Sequence, residues 1–239
     1  MKAIAEVRVS GEEISRTPDI TARSMNKVLW RLDFAVFAVL IVLLNLPLIT
    51  GQFAGSFAFL PGAVRAGEWW RLFTHPFVHV SWYHLLLDAT AFFMAYAELR
   101  DRRWLERLGL VAAAGVGGLL AAWWMAPVVF TQGLCGLSGI AHGLAAAVGL
   151  DLGVQSGDRL LRRLGLASFA GVALKSLVEA WTGEIVFASW HLGWLGTPIA
   201  VCHAGGVIGA SMIWLILRAK RQQTFGALQG RERNRTRAE

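Results

Sequence analysis

Six stretches of the chain are dominated by apolar residues: 32–50, 84–99, 108–126, 137–152, 164–181 and 198–217. About twenty residues at a helical rise of roughly 1.5 Å cross a hydrocarbon core of about 30 Å, so these runs read as membrane helices. The runs at 84–99 and 137–152 are the shortest. Their ends are expected below the membrane surface, set in protein or water. The predicted fold is an all-α polytopic membrane protein of six transmembrane helices.

The polar positions between the runs repeat this division. Taken in order, the segments outside the runs hold six, two, four, zero, three, zero and seven Lys or Arg residues, with Lys175 alone inside a run. Basic residues accumulate on the cytoplasmic side of membrane proteins. The alternation therefore predicts two cytoplasmic termini and outward-facing loops at 51–83, 127–136 and 182–197. The expected division is a cytoplasmic tail at 1–27, a six-helix domain at 28–220 and a basic cytoplasmic tail at 221–239 that is solvated or bound at lipid headgroups. The first 27 residues are polar and mixed in charge, which reads as a tail rather than a cleavable signal.

Composition narrows the class. Hydrophobic residues make up 55% of the 239 and charged ones only 16%, against about a quarter charged in soluble domains. The net charge of +7 does not mark a nucleic-acid binder, because the basic residues flank apolar runs instead of lining one face. The expected environment is the lipid bilayer. Two cysteines, Cys135 and Cys202, form no disulfide framework and read as small buried apolar residues.

The polar residues inside the runs carry the candidate chemistry. Ser138, His203, His84 and Asp88 all fall in the outward part of three different runs. Polar groups within a span are costly, face the interior or a wet cavity, and often mark function. Ser138 needs a base to act as a nucleophile. His142, four residues on, lies one turn deeper on the same face and suits stacking beneath the site; His203 approaches from another helix. Gly139 and Gly143, with Gly205 and Gly209, form small-residue faces that let two helices meet backbone to backbone. A glycine zipper with a buried serine is the plain structural alternative. Lys175 and Glu179, four apart on the fifth run, read as a self-neutralising pair or as polar contacts to a substrate tail. His75, His79 and His84 lack the His-Glu-x-x-His spacing of a metalloprotease and read as loop braces, so no metal is expected.

The stretch "GLSG" (136–139), the later "CHAGG" (202–206) and the loop "GEWWRLFTHPFVHVSWYHLLLD" (67–88) together resemble the rhomboid intramembrane serine proteases. Trp70-Arg71 matches that family's Trp-Arg loop motif, His75, His79 and His84 its histidine spacing, and Glu98 and Arg100 its Glu-x-Arg. The similarity covers roughly residues 67–210, and "SGIAHG" is similar to the rhombosortase branch. The resemblance implies Ser138 as nucleophile, His203 as general base, and His142 where a tyrosine usually packs on the catalytic histidine. Gly206 corresponds to the glycine that lets that histidine pack closely, and Gly136, Leu137 and Gly139 flank the serine. His84 corresponds to an oxyanion-side residue. The mechanism implied is acyl transfer by a Ser–His dyad without cofactor, with the Ser138 and Leu137 backbone N–H groups and His84 around the oxyanion.

One position departs from the pattern. Rhomboids carry His-x-x-x-Asn where this chain has His84-x-x-x-Asp88. An amide donates to an oxyanion and an ionised carboxylate does not. Asp88 is then protonated by burial, or orients His84, or leaves the hole to backbone N–H groups and His84; orientation of His84 is the favoured expectation. The branch implies a bacterial inner-membrane enzyme with its site facing outward. Its substrates would be transmembrane-anchored surface proteins with a C-terminal Gly-Gly-type sorting tail. Two rivals differ in class: an inactive rhomboid-like protein that binds client helices, and a small transporter, which the gathering of polar groups on one side disfavours.

Overall fold

The computed structural model describes residues 17–186, 188–190 and 192–236, with side chains over 24–186, 188–190 and 192–224. Nine α-helices follow one another among the described residues: α1 (Thr17–Asn45), α2 (Pro61–Arg65), α3 (Arg71–Thr74), α4 (Trp82–Glu98), α5 (Trp104–Met125), α6 (Val129–Gln132), α7 (Ser138–Gln155), α8 (Arg159–Thr182) and α9 (Val201–Thr236). The longer ones correspond to the six apolar runs. Four stretches are long and apolar enough to cross a membrane: Ser24–Thr50, Trp104–Met125, Arg159–Thr182 and Val201–Thr224. Helices α4 and α7 are short, at 17 and 18 residues.

Two boundaries differ from the charge-based division. Helix α1 begins at Thr17, inside the expected N-terminal tail, and α9 runs through residue 221 to Thr236. Charge marks where apolar sequence stops, but nothing in the basic segment breaks a helix: no proline follows Pro198. The outermost parts of both expected tails, 1–16 and 237–239, lie outside the described residues.

Helix α7 is the centre of the bundle and packs against α4, α5, α8 and α9. Its sequence explains its position. Gly139, Ala141, Gly143, Ala146, Ala147, Gly149 and Gly153 are all buried, so no bulky side chain keeps the neighbours away. Without that bulk it has little apolar area to offer lipid. The large apolar side chains lie instead on the outer helices, where Val36, Leu43, Leu120, Trp124, Leu174, Trp181, Met212 and Leu215 are exposed. A surface of this kind suits hydrocarbon rather than water.

Glycine pairing is the main departure from expectation. The sequence pairs Gly139 and Gly143 with Gly205 and Gly209. In the structure Gly139 and Gly143 meet Gly206, and Gly205 and Gly209 face Gly117 and Ala113 on α5. Adjacent residues point about 100° apart on a helix, so α9 is sandwiched and needs small residues on two faces.

At the opposite end from Ser138 a polar cluster ties the helices. The fully buried Arg107 donates to Asp33 at 2.5 and 2.9 Å and to Asn26 Oδ1 at 3.0 Å, and Tyr96 donates to Asp33 at 2.9 Å. Arg102 pairs with Asp151. These arginines, read from the sequence as topology signals, are structural partners. Glu98 and Arg100, singled out by resemblance, are exposed.

Candidate active site

The N-terminal ends of α4, α7 and α9 meet the C-terminal end of α8 around a cavity of about 550 Å3. Ser138, His203, His84, Asp88, His142, Lys175 and both cysteines line it, together with Trp194 to Ala200 from the segment before α9. Ser138 is the first residue of α7. The unpaired N–H groups and dipole of a helix start favour negative charge there.

The loop 51–83 is folded by buried polar groups. Arg71 donates to the carbonyls of Gly55 and Ala58 at 2.6 and 2.7 Å and to Glu68 at 2.7 Å, and Trp70 donates to Ser56 O at 3.1 Å. His75 shares a hydrogen bond with Arg71 O at 3.1 Å, and its own carbonyl accepts the Gly136 N–H at 3.1 Å. Burial pushes His75 down from 6.5 to about 4 and lowers His79 as well. Asn45, which the sequence reading passed over, donates to Phe77 O at 2.6 Å and accepts the His79 N–H at 2.8 Å. A lone amide inside the first apolar run is its only visible signal. The loop thereby fixes the turn before Ser138, where Gly136 sits at φ +102°. An added Cβ at Gly136 would lie 2.8 Å from His84 Nε2 and 2.9 Å from Asp88 Oδ2, so only glycine fits.

Two polar sets surround the serine. On the α4 side, Asp88 Oδ2 accepts the Ser138 backbone N–H at 3.0 Å. The same oxygen lies 3.2 Å from His84 Nε2 and 3.4 Å from His79 Nε2, the latter without hydrogen-bond geometry. The sequence reading leaves the Ser138 N–H free for an oxyanion; here a carboxylate holds it. A side chain four residues after His84 reaches the α7 start as readily as it reaches His84, which sequence spacing alone does not reveal.

On the other side, the His142 and His203 rings stack with centroids 4.0 Å apart and planes within 10°. His142 Nδ1 is 2.7 Å from Ser138 O, and Lys175 Nζ is 2.9 Å from His142 Nε2. Lys175 also donates to Glu179 Oε1 at 2.7 Å, and Glu179 Oε2 lies 2.8 Å from His203 Nδ1. Lys175 and Glu179 do pair, and of the two only Lys175 reaches the cavity wall; Glu179 is fully buried behind it.

Ser138 Oγ approaches the Cys202 thiol at 3.9 Å. Among the described residues it makes no hydrogen bond to His203. Both cysteines are free thiols, and burial pushes Cys135 up to about 12. Gly206 lets His203 come this close to α7: a Cβ there would overlap the Gly139 carbonyl.

Metal-ligating types also meet here. Donor atoms of His142, Glu179 and His203 lie within 4.8 Å of one another. The Lys175 ammonium already sits among them, bonded to two of the three, and supplies the positive charge a metal would bring.

The bundle and its apolar exterior define an all-helical integral membrane protein with a serine and two stacked histidines in an interior cavity. The Rhomboid domain matches residues 66–220, well over half of the chain, and the chain belongs to this family of intramembrane serine proteases. No curated protein and no solved structure matches the chain.

Proposed function

We propose that the chain is an active intramembrane serine protease with Ser138 as nucleophile and His203 as general base. The observation that carries this reading is that both side chains line one cavity, brought there by two helix starts packed glycine to glycine. In the reaction, Ser138 Oγ bonds to a substrate carbonyl carbon as its proton passes to His203 Nε2. That proton then goes to the leaving amine; a water deprotonated by the same nitrogen bonds to the acyl carbon, and the proton passes to Ser138 Oγ as its bond to that carbon breaks and the acid leaves. In this reading the start of α7 and His84 Nε2 stabilise the charge that develops on the carbonyl oxygen, and the Ser138 N–H joins them when Asp88 yields it. The Ser138–His203 hydrogen bond would form as substrate arrives, since catalytic hydrogen bonds often tighten only in the complex.

The finer features go with this reading. The chain would cross the membrane six times, α4 and α7 included, with both termini cytoplasmic and the cavity facing outward, as the Lys and Arg alternation supports. Its place would be a bacterial inner membrane. "SGIAHG" supports the rhombosortase branch and substrates anchored by a C-terminal Gly-Gly-type tail with a hydrophobic helix and basic end.

The test uses the full chain in detergent with a Gly-Gly-tailed membrane substrate and a fluorophosphonate probe. Cleavage and labelling vanish in Ser138→Ala and in His203→Ala. Activity that survives Ser138→Ala overturns the assignment. A second reading, a client-binding protein without activity, draws on the engaged Ser138 N–H and the missing Ser138–His203 hydrogen bond. It predicts substrate capture without cleavage by the unaltered chain.

A further inference from the structure

A buried carboxylate in a membrane helix is costly and needs partners. Glu179 is fully buried, and its two oxygens have different work. Oε1 accepts from Lys175 Nζ at 2.7 Å and from the Val186 N–H at 3.0 Å, where the chain turns back after α8. Oε2 is left for His203 Nδ1 at 2.8 Å. Two donors on one oxygen fix the carboxylate and aim the other oxygen at the imidazole.

The hydrogen bonds also assign the protons. Ser138 O only accepts, so His142 carries its proton on Nδ1, and its Nε2 lone pair accepts from Lys175. A Glu179 carboxylate likewise only accepts, so His203 carries its proton on Nδ1. Its Nε2 is then the basic nitrogen. The ring plane is held by the stack on His142. Each link in the chain Ser138 O, His142, Lys175, Glu179, His203 thus pairs one donor with one acceptor.

We infer that Glu179 is a positioning residue that converts the Ser138–His203 pair into a Ser–His–Glu triad, with Lys175 as its clamp. This rests on the protease reading above. Glu179 sets the His203 tautomer and faces the imidazolium that forms when Ser138 gives up its proton. The charged and titratable groups around His203 are Glu179 and Lys175 on α8, His142 on α7 and, beyond Cys202, Asp88 on α4. Of these, Glu179 alone contacts a ring nitrogen of His203.

The experiment compares the full chain with Glu179→Gln and Glu179→Asp in detergent. A glutamine amide can donate to Nδ1 and stabilise the wrong tautomer, as in serine-protease triads stripped of their carboxylate. For Glu179→Gln, kcat falls by about 10²- to 10⁴-fold, with KM within about twofold because Glu179 does not touch the cavity. Glu179→Asp recovers much of kcat. Spectra of 15N-histidine-labelled protein show His203 protonated at Nδ1 in the unaltered chain and shifted toward Nε2–H in Glu179→Gln. Wild-type kcat in Glu179→Gln, or Nε2–H in the unaltered chain, overturns the inference. If Glu179→Gln does not assemble, the spectrum of the unaltered chain decides alone. Ser138→Ala and His203→Ala separate the two failures: if both abolish cleavage while Glu179→Gln does not, the triad falls and the protease stands.

Discussion

Asp88 Oδ2 accepts the backbone N–H of Ser138 at 3.0 Å. The carboxylate therefore occupies a donor that an acyl-transfer site would offer to an oxyanion. Like charges at such range repel by several kcal/mol in a medium of intermediate dielectric. Asp88→Asn removes the charge and supplies an amide N–H, so kcat/KM on a membrane substrate should rise, on the order of tenfold. A fall instead means the carboxylate's hold on His84 or on the α7 start outweighs its repulsion.

Gly206 faces Gly139 so closely that a Cβ would overlap the Gly139 carbonyl. Backbone has little room to yield, and α9 is backed by α5 on its other face. Gly206→Ala should destabilise the bundle by about 1–3 kcal/mol, read as a lower melting temperature in detergent. It should also slow fluorophosphonate labelling more than Ala substitution at the exposed Ile208 of the same helix, because His203 moves with the helix.

Much of the fold was legible because lipid imposes a simple rule: apolar runs become helices, and the longer described helices match the six runs. The candidate site was legible in its residue types, since a serine boxed by glycines and isolated histidines stand out in apolar sequence. Partners were less visible. Gly205 and Gly206 differ by one position, yet they face different helices, and only the rotation of α9 decides which meets α7. Glu179 reads as Lys175's companion because i, i+4 spacing is local; its bond to His203 depends on how α8 leans on α9. Asp88 reads as His84's companion for the same reason. Local spacing finds neighbours on one helix, and the contacts of the candidate site run between helices.

Cys135 precedes Ser138 by three residues and lines the cavity. With its thiol pushed up to about 12 by burial, about 10⁻⁴ of it is thiolate at pH 8, and the thiolate is the reactive form. Iodoacetamide should modify it on the order of 10³-fold more slowly than an ordinary free thiol. Gel mobility should not change on reduction. Mass spectrometry of the peptide spanning Cys135 reads the first, and fast alkylation would show that the loop opens readily.

His75 provides the last test, through pH. Its ring is buried in the loop outside the membrane helices, and burial pushes it from 6.5 to about 4. The unfolded chain therefore binds a proton that the folded chain refuses between these values. Stability is fully present above pH 6.5 and is lost as pH falls toward 4, by up to about 3 kcal/mol for this one group. His79 is lowered in the same direction and steepens the loss. The melting temperature in detergent should drop over this window. His75→Asn, which keeps a side-chain donor for Arg71 O but does not titrate, should flatten the profile while lowering its plateau. The His75 carbonyl also holds the Gly136 N–H at 3.1 Å, so labelling of Ser138 should fall over the same window. A melting profile unchanged between pH 6.5 and 4 would mean that the His75 ring is reached by water in the folded protein.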